Sequence, residues 1–187
     1  MKVNVPAASD AITLGQYVDY LNAVDDTERV IVATGEPREK VLRMNLNTIH
    51  TIIETFERAV NIGTMQDHHV IGDLGFIPDF TAMSLAEYID LEQLSKELKT
   101  DDGKIDGENL IKFMSVLYRP IKTRFLKHYW LQPYDCDEAM YYRDKILALP
   151  MAAVNSTIVF FWTLESELQQ SSLDYMRTQA MAAMKAS

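Results

Sequence analysis

The sequence predicts a mainly α-helical chain with a minor β component, built as two related two-helix units packed with a long C-terminal helix. Three observations predict it. Thr13-x-x-Gln16 and Ser84-x-x-Glu87 each fit a capping box, in which a hydroxyl and a long polar side chain satisfy orphan backbone N–H groups at a helix start. The segments around them repeat: residues 83–90 (Met-Ser-Leu-Ala-Glu-Tyr-Ile-Asp) follow the pattern of 12–19 (Ile-Thr-Leu-Gly-Gln-Tyr-Val-Asp). Downstream and in the same order, Asn109–Leu117 echoes Asn45–Ile53. Finally, Pro150 precedes an uncharged run with apolar residues at helical spacing. The expected layout is one domain over 1–187, duplicated at about 12–62 and 83–120, with a C-terminal helical region at 135–187. Duplication of this kind speaks to architecture; it does not by itself assign a function.

In the first helix Leu14, Tyr17, Val18 and Leu21 make a 3,4-spaced stripe, ending near Asp25-Asp26. Arg29-Val30-Ile31-Val32-Ala33 reads as a short strand, because β-branched residues cluster there and Gly35 and Pro37 close it. Pro37 can open a helix, but Asn45 and Asn47 place the safer start near Leu46. From there Leu46, Ile49, Ile52, Ile53, Phe56 and Val60 trace one face to Asn61 and Gly63. Within the irregular stretch Met65 to Phe80, His69–Ile71 and Leu74–Ile77 read as short strands paired about the turn-favouring Gly72-Asp73.

The second copy opens with Leu85, Tyr88, Ile89 and Leu91 on the apolar face of its first helix. A polar turn, Lys99 to Lys104, leads to a helix capped by Asp106 or Gly107 and striped by Leu110, Phe113, Met114 and Leu117. Arg119-Pro120 stops or bends it. Ile121 to Trp130 fits helix and strand alike, and Pro133 closes it. Asp135-x-x-Glu138 resembles another helix start, running to about Leu147. The last helix passes through Val154, Ile158, Phe161, Trp162, Leu164 and Leu168 until Ser171-Ser172, before a tail rich in Ala and Met.

Composition excludes several function classes. With 48% hydrophobic and 24% charged residues in 187, the chain has the make-up of a soluble globular protein. Its net charge of −9, from 27 acidic and 18 basic side chains, works against nucleic acid and anionic membranes as partners. The stretch Ile146 to Leu164 carries no charge, but Pro150 divides it and leaves less than the ~20 residues a bilayer needs. No secretory signal opens the chain, and no transmembrane segment is expected. Cys136, the single cysteine, excludes an internal disulfide and a cysteine cluster; Asp135, Asp137 and Glu138 around it make a poor nucleophile of it.

Candidate chemistry fails residue by residue. Placing Gly103 at the glycine position of an EF-hand loop puts Leu98 first and Asn109 last, and neither is the ligand required. Asp67-His68-His69 holds the only histidine pair; His50 and His128 are remote, and His50 aligns with Met114, which marks a packing position. Phosphate-cradling glycine loops and a Gly-x-Ser-x-Gly elbow are missing. Tyr17/Asp19 and Tyr88/Asp90 occupy matched places and read as a repeated structural contact. The expected sites are therefore no catalytic, cofactor-binding or metal residues, and no cofactor. A protein interface is expected at Tyr129, Trp130, Tyr134, Tyr141 and Tyr142, together with Met176, Met181 and Met184 of the tail, since aromatic and methionine side chains adapt to apolar partners.

Gly75-Phe76-Ile77-Pro78-Asp79-Phe80, Glu87-Tyr88-Ile89-Asp90-Leu91-Glu92, Leu117-Tyr118-Arg119-Pro120-Ile121 and Val159-Phe160-Phe161-Trp162-Thr163-Leu164 before Glu165 resemble a small-protein family of tailed bacteriophages. The resemblance spans roughly residues 75–168 and brings no catalytic residues with it. It implies a non-enzymatic virion structural protein or tail assembly chaperone, located in the virion or the host cytoplasm, with other phage structural proteins as partners and homo-oligomerisation left open. Other readings are a regulatory adaptor that binds a host protein, or a small enzyme without a recognisable motif.

Overall fold

The computed structural model describes residues 3–61, 69–79, 83–163 and 166. Among them the chain is mainly helical. In order come a 3-10 turn at Ser9–Ala11, then α1 (Leu14–Asn22), α2 (Asp26–Thr34), α3 (Arg38–Val41) and α4 (Leu46–Asn61). Strands β1 (Val70–Ile71) and β2 (Leu74–Gly75) precede α5 (Leu85–Glu97) and α6 (Gly107–Leu117). After β3 (Arg119–Phe125) and β4 (His128–Leu131) follow a 3-10 turn at Ala139–Tyr142 and α7 (Arg143–Leu147). A last helix, α8, covers residues 151–163 of the described chain.

The helix starts obey their local chemistry. Thr13 Oγ1 accepts from Gln16 N at 3.1 Å. At α5 the capping box is complete: Ser84 Oγ accepts from Glu87 N, and Glu87 Oε2 accepts from Ser84 N at 2.6 Å. Asn45 caps α4 through Thr48 N, and Asp106 caps α6 through Asn109 N, each at 2.9 Å. Gly72-Asp73 turns β1 into β2 in the expected register, Ile71 opposite Leu74, with Gly72 at φ +62°.

The expected strand at Arg29–Ala33 is a helix instead. Asp25 Oδ1 accepts from Glu28 N at 2.8 Å, and Gly35 ends α2 in the left-handed conformation (φ +67°) with its N–H on Ile31 O. Asp25-x-x-Glu28 and a closing glycine are helix punctuation. They outweigh the β-branched run, whose helix cost is only a few tenths of a kcal/mol per residue. Ile121 to Trp130 resolves as the β3–β4 hairpin, with a bulge between Ile121 and Thr123. The helix expected from Asp135 starts later: Asp135 Oδ1 accepts from Asp137 N, and regular turns begin at Ala139.

The matched halves pack differently. Within the second copy α5 lies directly on α6; in the first, α4 lies on α2, and α1 lies against α2, α6 and α7. Contact of α1 with α4 runs through Tyr20, whose ring stacks on Phe56 at 4.6 Å and whose hydroxyl donates to Glu57 at 3.0 Å. Met114 is fully buried, whereas its counterpart His50 is exposed, so the packing role expected for His50 does not hold. The α5 stripe is also rotated from its expected face: Leu85 and Ile89 face solvent, while Glu87, Leu91 and Leu98 are buried.

Around α6, buried along nearly its whole length, the other elements assemble. Gly107 permits the approach of α1, since a Cβ there would lie 2.9 Å from Val18 Cγ1. The starts of α1 and α8 are joined by Leu14 N to Leu149 O and Met151 N to Ile12 O, both 2.8 Å. β1, β2, β3 and β4 form one antiparallel sheet in that order. Stretches far apart in sequence meet in this region: Phe76 packs on Tyr118 at 5.6 Å and on Phe160 at 5.4 Å, and Glu87 pairs with Arg119 at 2.7 Å.

Candidate functional site

A large apolar opening lies where α8 crosses the C-terminal ends of α4 and α5. Asn155 of α8 fixes one wall by donating through Nδ2 to Val60 O at 2.7 Å, satisfying a carbonyl in the last turn of α4. Leu98, Leu110 and Met151 form the inner surface, with Ile158, Val159 and Trp162 along the α8 side, around a cavity of about 560 Å³. Tyr17 reaches it from α1; burial, then the charge of Glu57, pushes this phenol up from its ordinary range. Lys96 and Lys99 supply the charge on the rim. Ammonium, amide and hydroxyl groups on apolar walls suit a site that holds an apolar segment.

The expected aromatic surface divides in two. Tyr129 is a fastening: its hydroxyl lies 2.6 Å from Phe76 O and 3.2 Å from His69 O, and its ring covers Gly75, where a Cβ would stand 2.8 Å away. Tyr142 donates to Ser115 O at 2.8 Å, and Tyr134 donates to Asp90. Burial first raises both phenols, Tyr142 to about 12; for Tyr134 the hydrogen bond to Asp90 adds to it. Trp130 and Tyr141, by contrast, face solvent. The matched tyrosine–aspartate pairs do not repeat one contact either: Asp90 holds Tyr134, while Asp19 is exposed. Met176, Met181 and Met184 lie outside the described residues, as do Asp67 and His68. His69 is described; its ring stands edge-on to Phe76 at 6.0 Å.

Two features escaped the sequence reading. One is the pair between Arg119 Nη2 and Glu87 Oε1 at 2.7 Å, with side chains only 13% and 5% exposed. Arg119 also donates through Nη1 to Gln132 O at 3.0 Å. It thereby ties the first turn of α5 to β3 and to the chain after β4. The other feature is the tip of the β3–β4 hairpin, where Phe125 pairs with His128 across Leu126-Lys127. Leu126 takes φ +54°, which costs a residue with a Cβ roughly 1–2 kcal/mol. A leucine in a turn position that glycine would fill without strain was invisible to hydrophobic periodicity.

A second hollow, of about 330 Å³, opens between α5, α6 and the segment after β4. Leu94, Val116 and Met140 supply its apolar surface, and Asp90 and Glu97 its acidic edge. Asp135, Cys136 and Asp137 sit beside it with ligand-type atoms within 4.8 Å of one another, all exposed, an arrangement common in solvated acidic turns. Among the described residues no helix is long and apolar enough to cross a membrane. Comparison with protein-family models, with curated proteins and with solved structures finds no match for this chain.

Proposed function

We propose that the chain is a non-enzymatic protein-binding component of a tailed bacteriophage, acting as a tail assembly chaperone or as a structural part of the virion. The observation that carries the binding half is the apolar groove along α8. An amphipathic partner helix can lay apolar anchors into such a groove, reading it by side chains one turn apart. Val159 and Trp162 remain exposed at its edge, where a partner would cover them. The phage half rests on the resemblance of the four stretches above. Net charge of −9 favours partners that are basic or apolar over nucleic acid.

The test is a photo-crosslinking amino acid placed at Trp162 and activated during infection, with mass spectrometry of the crosslinked species. A phage structural protein attached at this position supports the reading. Attachment to a host protein alone makes the chain an adaptor and overturns it. Mass spectrometry of purified particles then separates the two phage roles, since a structural protein stays in the particle and a chaperone does not.

A further inference from the structure

The β3–β4 hairpin is charged oppositely to the rest of the chain. Residues 119–134 contain Arg119, Lys122, Arg124 and Lys127 and no Asp or Glu, in a protein of net charge −9. At its tip Phe125 is 66% and Leu126 82% exposed, and Trp130 behind them is 55% exposed. Two neighbouring large apolar side chains at a tip, flanked by Arg124 and Lys127, have the make-up of an interface anchor. The strained backbone of Leu126 sharpens this. Stability alone favours glycine there, and the leucine side chain in its place is exposed to solvent.

The same chain carries the complementary surface. The hollow between α5 and α6 has Leu94, Val116 and Met140 for apolar contact and Asp90 and Glu97 at its edge against one cation, Lys112, with the exposed Asp135, Asp137 and Glu138 close in sequence to the Tyr134 that lines it. Its volume of about 330 Å³ admits large apolar side chains. We propose that the protein self-associates by seating the Phe125-Leu126 tip of one copy in the α5–α6 hollow of a second, with Arg124 and Lys127 against the acidic edge. Tip and hollow are different surfaces. Such a contact closes into a ring or a reciprocal pair, or else extends as a filament. This proposal is independent of the groove along α8 and of any phage partner.

Analytical ultracentrifugation of the full chain across concentration and salt tests it. Wild-type protein should sediment above monomer mass, and the association should weaken as salt screens the charged contacts. Leu126→Gly should weaken association about tenfold, as removal of an interface anchor does. Its stability to urea should meanwhile hold or rise, because the turn strain is relieved. That pairing separates a lost contact from a lost fold. Glu97→Lys and Lys127→Glu should each weaken association, and the two together should restore it. Monomeric wild type at every concentration overturns the proposal, as does association that Leu126→Gly and Glu97→Lys leave unchanged. Monomers whose tip instead binds phosphatidylserine vesicles, losing that binding with Leu126→Gly, overturn it in favour of a membrane surface.

Discussion

Breaking the Arg119–Glu87 pair should be the most damaging polar change in the described fold. Both side chains are nearly out of water, so neither charge can be resolvated cheaply when the other is removed. Glu87→Gln keeps an oxygen for Ser84 N, and therefore the cap, but leaves the Arg119 charge with Gln132 O as its remaining partner. Arg119→Met keeps the stem's packing and strands the carboxylate on a single backbone N–H. Loss of one member of a buried pair costs about 3–5 kcal/mol. The lower end applies here, because Arg119 is 13% exposed and retains its carbonyl; about 3 kcal/mol is expected for each single variant. Replacing both should recover much of that loss, since no buried charge is then left unpaired. Urea denaturation followed by circular dichroism reads these values, with the slope on denaturant unchanged if only stability has moved. Single-variant losses below about 1 kcal/mol, the range of exposed pairs, would refute the reasoning.

Further tests address the contacts that position the two surfaces. Tyr129→Phe removes the hydroxyl shared by His69 O and Phe76 O and should cost about 1–2 kcal/mol, with faster amide exchange in β1 and β2; unchanged exchange there would deny Tyr129 its fastening role. Gly107→Ala drives a methyl into Val18 and should destabilise by about 1–3 kcal/mol, a loss that Val18→Ala in the same chain partly relieves; strictly additive losses would contradict the close approach of α1 to α6. Burial raises the phenols of Tyr17, Tyr20, Tyr118, Tyr129, Tyr134 and Tyr142, with Tyr118 reaching about 12. In the unfolded chain they ionise at their ordinary value near 10. Their contribution is therefore complete below pH 10 and is lost as pH rises through 12 and beyond. Tyrosinate absorbance from these six should appear together with loss of helical signal; their ionisation near pH 10 with helicity intact would contradict the burial argument.

Most helix starts were legible because a cap is a local transaction. Thr13, Asp25, Asn45, Ser84 and Asp106 each bond a backbone N–H three residues on, whatever the rest of the chain does. At α2 the same residues carried two meanings: Asp25-Asp26 reads as the end of α1 and the β-branched cluster after it as a strand, whereas Asp25 is the cap of a new helix. The β1–β2 turn was legible for the same local reason, since Gly72 supplies the left-handed backbone a tight hairpin takes. The sequence by itself thus determined the mainly helical class, most helix starts and the first hairpin.

Only the tertiary structure decided which faces those elements bury and which side chains meet. α5 turns Leu85 and Ile89 outward because Glu87 is drawn inward to Arg119, a partner that arrives from β3 and shares no sequence periodicity with it. His50 and Met114 match in sequence but differ in burial because α4 packs on α2 while α6 sits at the centre of the fold. The aromatic residues from Tyr129 to Tyr142 looked like one surface. Hydrogen bonds to Phe76, Asp90 and Ser115 make three of them internal fastenings and leave Trp130 and Tyr141 outside. Backbone capping is satisfied within one turn of chain, whereas burial depends on partners dozens of residues away, and no local pattern encodes those.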